Sequence, residues 1–132
     1  MKILAIRTGS RTELIDVTGQ VQDAVEALGL KDGLVLVYVP HTTAAVTINE
    51  GADPAVRQDV LSVLNQIVPW DFGYRHLEGN SPAHIKATLV SSGVQVIVEE
   101  GQLRLGTWQR IFFCEFDGPR QRKLWVKALA RA

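Results

Sequence analysis

Cysteine is nearly absent: Cys114 is the one example in a chain of 132 residues. No internal disulfide is therefore available. A chain this long does not need one, because about 65–70% of the unfolded surface is buried at such sizes. A surplus of either charge is also absent. Fourteen Lys and Arg balance fourteen Asp and Glu, and the isoelectric point near 6.8 argues against a nucleic-acid-binding domain, which carries a basic excess. No apolar run approaches the ~20 residues of a membrane-spanning helix. The opening MKILAIRTGSRTELID has a short apolar run, no small-residue cleavage site and an early return to polarity, so it reads as a first strand and not a signal peptide. The expectation is a soluble, cytoplasmic protein whose partners include neither nucleic acid nor membrane. GxGxxG, Walker, HExxH, CxxC and GxSxG patterns are missing, which removes support for Rossmann, P-loop and serine-hydrolase readings.

The chain is of single-domain length, residues 1–132, without internal repeat or low-complexity segment. Residues 2–8 and 12–18 read as strands around Gly9-Ser10. Val21, Val25 and Leu28 give one face of a helix over 19–28, with Gly29 placed to cap it. Two short apolar runs, 34–39 and 44–49, read as strands separated by Pro40 and His41. Asp53-Pro54 is a cap-plus-proline helix start, and Val56, Val60, Val63 or Leu64, and Ile67 continue an apolar face to Pro69. Residues 70–80 have no period and read as a loop. Ser81-Pro82 starts a third helix over 82–91. From there the period is two, predicting strands at 94–100, 102–105, 107–116 and 122–130. About seven mostly antiparallel strands and about three helices make the fold class α+β.

Three histidines carry the chemistry most legible in the sequence. His41 follows a buried strand, His76 lies in the loop, and His84 sits in the first turn of the third helix. Imidazole ligates zinc, copper, iron and nickel, and three imidazoles with an open position are a known catalytic zinc arrangement. Their spacing matches no metal template, so a shared site and three scattered structural histidines both stay open. Thr42, Thr43 and Glu50 follow His41. Asn80 and Ser81 precede His84 at a helix N-terminus, where anions are favoured. Asn80 reads equally as a plain helix cap. Lys86 is two residues beyond His84 and need not share its face.

A basic stretch closes the chain. From Asp117 to Ala132, Arg120, Arg122, Lys123, Lys127 and Arg131 face one acid, leaving the rest of the chain net acidic. Arg120 and Arg122, at alternate positions after the Asp117-Gly118-Pro119 turn, suit a phosphate or carboxylate. The plainer reading is a surface hairpin paired to Asp117 and Glu115. Gln109 and Glu115 share one side of the 107–116 strand. Cys114, inside an aromatic strand, reads as core and not as a nucleophile. Trp70, Trp108 and Trp125 read as core or subunit-interface residues.

Four segments together resemble the YjbQ family, whose members are labelled secondary thiamine-phosphate synthase enzymes. HTTAAVTINE (41–50) is similar to HTTAAxTINE. YRH (74–76) with GNSPAHIK (79–86) is similar to YxH…GNxxAHxK. LRLGTWQ (103–109) and EFDGPRQR (115–122) are similar to LxLGTWQ and ExDGPRxR. The match runs in order along nearly the whole chain and departs at Gly51-Ala52, where many relatives carry Asn. The resemblance implies a small two-sheet β-sandwich assembled as a homotrimer, with a metal or anion bound through His41, His76 and His84. The cofactor expected on that basis is a divalent metal, zinc first. The implied activity joins a hydroxymethylpyrimidine diphosphate to a thiazole phosphate, as a secondary activity on phosphorylated small molecules.

For such a reaction the expected roles follow. The difficult step is departure of pyrophosphate, so cations and donors must be aimed at the leaving group. The histidine-bound metal would act there as a Lewis acid. Glu50 or Asp117 would orient a histidine, and Thr42, Thr43, Asn80, Lys86, Gln109, Arg120 and Arg122 would hold substrate and phosphate oxygens, the arginines in their own or a neighbouring subunit. Two rivals use the same groups: metal-assisted hydrolysis of a phosphate ester, and a trimer that binds a metal or metabolite without turnover.

Overall fold

The computed structural model describes residues 1–130; Arg131, counted above with the basic stretch, lies outside them. The strands are β1 (Lys2–Arg7), β2 (Glu13–Asp16), β3 (Asp32–Tyr38), β4 (Ala44–Glu50), β5 (Gly93–Glu99), β6 (Gln102–Leu103), β7 (Gln109–Glu115) and β8 (Gln121–Ala130). The helices are α1 (Thr18–Ala27), α2 (Pro54–Ile67) and α3 (Ser81–Val90). The α+β class stands, with eight strands where about seven were expected. Among the described residues every pairing is antiparallel. No helix among them is long and apolar enough to cross a membrane.

Two sheets divide the strands, one ordered β1-β8-β3-β5-β6 and one ordered β2-β7-β4. Alternation sets the packing: Val35, Val37, Val96, Val98, Leu124 and Val126 turn inward from the larger sheet and meet Ile111, Phe113, Ala44 and Val46 from the smaller one, with α1 contributing Val21, Ala24 and Val25. β7 is buried on both faces, because Cys114 and Phe116 point the other way into a second cluster with Ala45, Ala83 and Leu64. The 122–130 segment, helical by propensity, is a strand, since its alternation places Leu124 and Val126 inside.

Local signals set most element ends. Gly29, at φ +69°, closes α1 as a Schellman cap: its N–H donates to Glu26 and the Leu30 N–H donates to Val25. Asp53 accepts from the Ala55 N–H at 2.9 Å and Pro54 occupies the first turn of α2. Two expectations change. The 102–105 strand shortens to Gln102–Leu103 at the sheet edge: the Arg104 N–H still donates to Ile97 of β5 at 2.8 Å, but the paired ladder ends at Leu103. The apolar face of α2 is not sealed: Val63 is 54% and Ile67 61% exposed.

Candidate functional site

A cavity of about 600 Å³ opens where β3 ends, β4 begins, α3 begins and the turn before β8 closes. The junction between β3 and β4 is pinned by the Val39 N–H, which donates to Ser92 at 2.7 Å. Pro40 has no N–H to continue the ladder, so His41, Thr42 and Thr43 leave the sheet and line the cavity. His76 comes from the 70–80 loop and His84 from the first turn of α3, and both line the same space. The three histidines, far apart in sequence, therefore share one cavity.

His41 Nε2 accepts the Lys123 backbone N–H at 2.9 Å. A neutral ring with Nε2 accepting carries its proton on Nδ1. Burial, then the nearby Arg122 charge, holds the His41 pKa below its ordinary value against the pull of Glu115. His76 and His84 meet edge to face, with ring centroids 5.2 Å apart. Among the described residues no group of three or more His, Cys, Asp or Glu is gathered as a metal-ligand cluster. His41 could join one only by giving up the Lys123 amide. As they stand, the imidazoles offer N–H donors to an oxyanion more readily than a common ligand point.

The two arginines take different parts. Arg122 is buried, its Nε donating to Glu115 Oε1 at 2.8 Å and an Nη2 proton to Thr43 Oγ1 at 2.8 Å. It is thus paired with a carboxylate as the sequence suggested, but inside the protein and not on its surface. The pair ties β8 of one sheet to β7 of the other. Burial alone would raise the Glu115 pKa; hydrogen bonds from Arg122, the Asp117 N–H and Thr8 outweigh it and hold it below the usual value. Thr43, buried beneath the cavity, is fixed by the same guanidinium. Arg120 is exposed. Its Nε donates to the Asp117 carbonyl at 2.8 Å and its Nη2 to the Asp117 carboxylate at 2.9 Å. Its remaining N–H groups are the cationic donors of the cavity rim.

Asn80 stands at the N-cap of α3 but makes no side-chain cap bond. Its Nδ2 donates to Asp117 Oδ2 at 2.8 Å, and its buried Oδ1 has no protein partner. Asp117 therefore orients Asn80 and Arg120 and not a histidine. The turn that carries it is tight. A Cβ on Gly118 would collide with the Ser10 carbonyl and crowd Glu115 and Thr8.

Three residues expected at the site lie elsewhere. Glu50 ends β4, whose N-terminal end adjoins the cavity; six residue steps place it about 20 Å away. It pairs in register with Gln109, which lines a different cavity of about 480 Å³ with Thr18 and Gln22. Lys86 is buried, and its Nζ donates to Asn65 on α2. Two residues on a helix are about 200° apart, so a helix that turns His84 to the cavity turns Lys86 away. Sequence reasoning missed Tyr38, Glu78 and Ser92 as lining residues and Thr8 as a hub. Thr8 Oγ1 lies 2.8 Å from Glu115 Oε1 and accepts the Arg120 N–H at 2.9 Å. Tyr38 had a signal, an aromatic ending an apolar strand just before His41; the others had none.

Cys114 is core, as expected: burial pushes its thiol up to about 12. Trp125 stacks on Tyr38, with centroids 5.8 Å apart, on the outer face of the larger sheet, and Trp70 lies under Arg11. Trp108 is 63% exposed and belongs to no core.

The profile of the family described as "UPF0047 protein YjbQ-like" matches residues 2–131. The UPF0047 protein YugU of Bacillus subtilis is 48% identical, over 98% of either chain. A UPF0047 protein of Archaeoglobus fulgidus is 52% identical, over 96% of this chain and 98% of that one. The crystal structure of a YjbQ/UPF0047 family protein from Clostridium acetobutylicum superposes with a TM-score of 0.95 at 49% identity, covering 98% of this chain and 100% of that one. A Thermus thermophilus structure gives 0.91 at 42%, with the same coverage.

Proposed function

Because the chain belongs to the UPF0047 YjbQ-like family, we propose that its histidine-lined cavity handles phosphorylated small molecules and has thiamine-phosphate-synthase-like activity. The reaction joins a hydroxymethylpyrimidine diphosphate to a thiazole phosphate, as a secondary activity of a cytoplasmic enzyme. The observation that carries this reading is the sharing of one cavity by His41, His76, His84 and the free donors of Arg120. This is a donor-rich, concave site.

In that reaction the C–O bond to pyrophosphate breaks and a C–N bond to the thiazole nitrogen forms. Negative charge grows on the departing oxygens, so stabilisation comes from donors already in place. Arg120, braced by Asp117, meets a phosphate oxygen. The N–H groups of the imidazoles meet others, with the α3 dipole adding to them. Asn80 lines the same cavity, and its Oδ1, buried and without a protein partner, accepts from a substrate N–H that reaches in to it. Arg122 and Glu115 hold Thr43 and the turn without touching substrate. The divalent metal implied by the family, zinc first, would be held by His41, His76 and His84 and would supply Lewis-acid charge at the same oxygens; among the described residues those rings do not gather as a metal-ligand cluster, and every role above stands on the protein's own groups.

A homotrimer is part of the same proposal. Ile3 (57% exposed), Ile97 (53%) and Leu129 (67%) lie on the outer face of the larger sheet with Leu36, Tyr38 and Trp125. Such a face suits burial against a second copy. Tyr38 belongs both to that face and to the cavity, so a neighbour seated there would wall the site.

The test is turnover of the two thiamine precursors by purified protein. Thiamine phosphate should form, and His84→Ala or Arg120→Ala should lower the rate at least about 100-fold, the scale of a lost transition-state donor. Pyrophosphate released without thiamine phosphate would replace the synthase reading with hydrolysis. Tight binding without turnover would leave a binding protein. Full metal content in His84→Ala would refute metal ligation by that residue.

A further inference from the structure

Lys86 is 2% exposed, and its Nζ donates to a neutral amide, Asn65 Oδ1. An ammonium has three N–H donors, and a buried cation is costly unless an anion and further acceptors accompany it. Beside it lies a cavity of about 210 Å³, lined by Arg11, Thr12, Asn65, Val68, Trp70 and Lys86. The Arg11 guanidinium carbon sits 4.3 Å from the centre of the Trp70 ring. Among the described residues no side-chain hydrogen bond or ion pair engages that guanidinium, which leaves its N–H groups free. Two cations and a hydroxyl thus border one small space, and no acidic side chain lines it. At ~30 Å³ per water it holds about seven waters, room for a phosphoryl group and little more.

We propose that this cavity is a second oxyanion site, which takes a phosphate group between Lys86 and Arg11. Lys86 acts as the buried point charge, Arg11 as the edge donor and the Thr12 hydroxyl as a further donor. Trp70 holds the guanidinium in place. None of the lining residues belongs to the histidine cavity, so the site stands independently of the chemistry proposed there.

The test is a 1H–15N titration of the full chain with inorganic phosphate and, separately, with glycerol phosphate, against sodium chloride at matched ionic strength. Saturable shifts are expected at the Thr12 amide and the Trp70 indole. Saturation by phosphate alone assigns the site to the free ion; saturation by the ester assigns it to a phosphorylated metabolite. Both outcomes support the site. Arg11→Ala, a change at an exposed residue, and Lys86→Met should each weaken those shifts at least about tenfold, the minimum for losing a hydrogen bond to a charged group. Shifts at Thr42, which report the histidine cavity, should not change in either variant. Absence of saturable shifts at Thr12 and Trp70, or their persistence unchanged in Arg11→Ala, would overturn the proposal and leave Lys86 as a tether between α3 and α2. Loss of shifts at Thr42 alone would count against the histidine cavity and not against this one.

Discussion

Arg122 and Glu115 stand seven residues apart in the chain and join two different sheets. A buried pair of this kind contributes little over an apolar substitute, but removing one partner strands the other charge. Arg122→Met should therefore cost about 3–5 kcal/mol in urea denaturation, and adding Glu115→Gln should recover part of the loss. The pH dependence follows from two groups. His41, with its pKa held below 6.5, contributes stability that is complete above that value and lost as pH falls through the depressed one. Glu115 contributes stability present above 4.5 and lost as pH falls through its own depressed value. Unfolding midpoints should hold above pH 7, fall below 6.5 and steepen below 4.5, with His41→Gln flattening the first step. The histidines were legible as chemistry because they stand outside apolar faces. Arg120 and Arg122 were not separable. Only the second sheet, absent from any local pattern, decides that one is rim and the other interior.

Elements were legible where punctuation was strong. Asp53-Pro54 sets the start of α2 by a carboxylate cap and a fixed φ, and Gly29 sets the end of α1 because, lacking a Cβ, it takes positive φ. Asp53→Ala should cost about 0.5–2 kcal/mol, read by thermal or chemical unfolding, because an orphan N–H loses its acceptor. Gly29→Ala should cost about 1 kcal/mol, because φ is positive there. The 122–130 strand was legible from alternation alone, against its helical propensity. The 102–105 strand was over-read: alternation states which face a residue would take, not how far the ladder runs, and here it stops one hydrogen bond past Leu103. On α3 the order of His84 and Lys86 was legible, but their separation into two cavities needed the position of α2, which supplies Asn65.

For the whole molecule, the outer face of the five-stranded sheet is the unresolved hydrophobic surface of a single chain. If three copies bury it, light scattering on an eluting peak should give three times the 14.5 kDa chain mass. Ile97→Glu with Leu129→Glu, which places charges on that face, should give a monomer that keeps its circular dichroism. Because Tyr38 joins face and cavity, that monomer should also lose activity. A single peak at monomer mass for the unaltered chain would remove the trimer from the proposal.

The sequence by itself determined the α+β class, the apolar run that makes 34–39 a strand, the alternation that buries Leu124 and Val126, the helix ends at Gly29 and Asp53, and the residue types available for oxyanion chemistry. These are local matters: period, cap and proline act within a few residues. Tertiary structure alone decided that three distant histidines share a cavity, that Glu50 and Gln109 stand at the far end of the sheet, that Arg122 is spent on Glu115, and that Lys86 turns to Asn65. Those outcomes depend on which sheet face is covered and by what, and packing fixes this through contacts between segments a hundred residues apart, where no local pattern reaches.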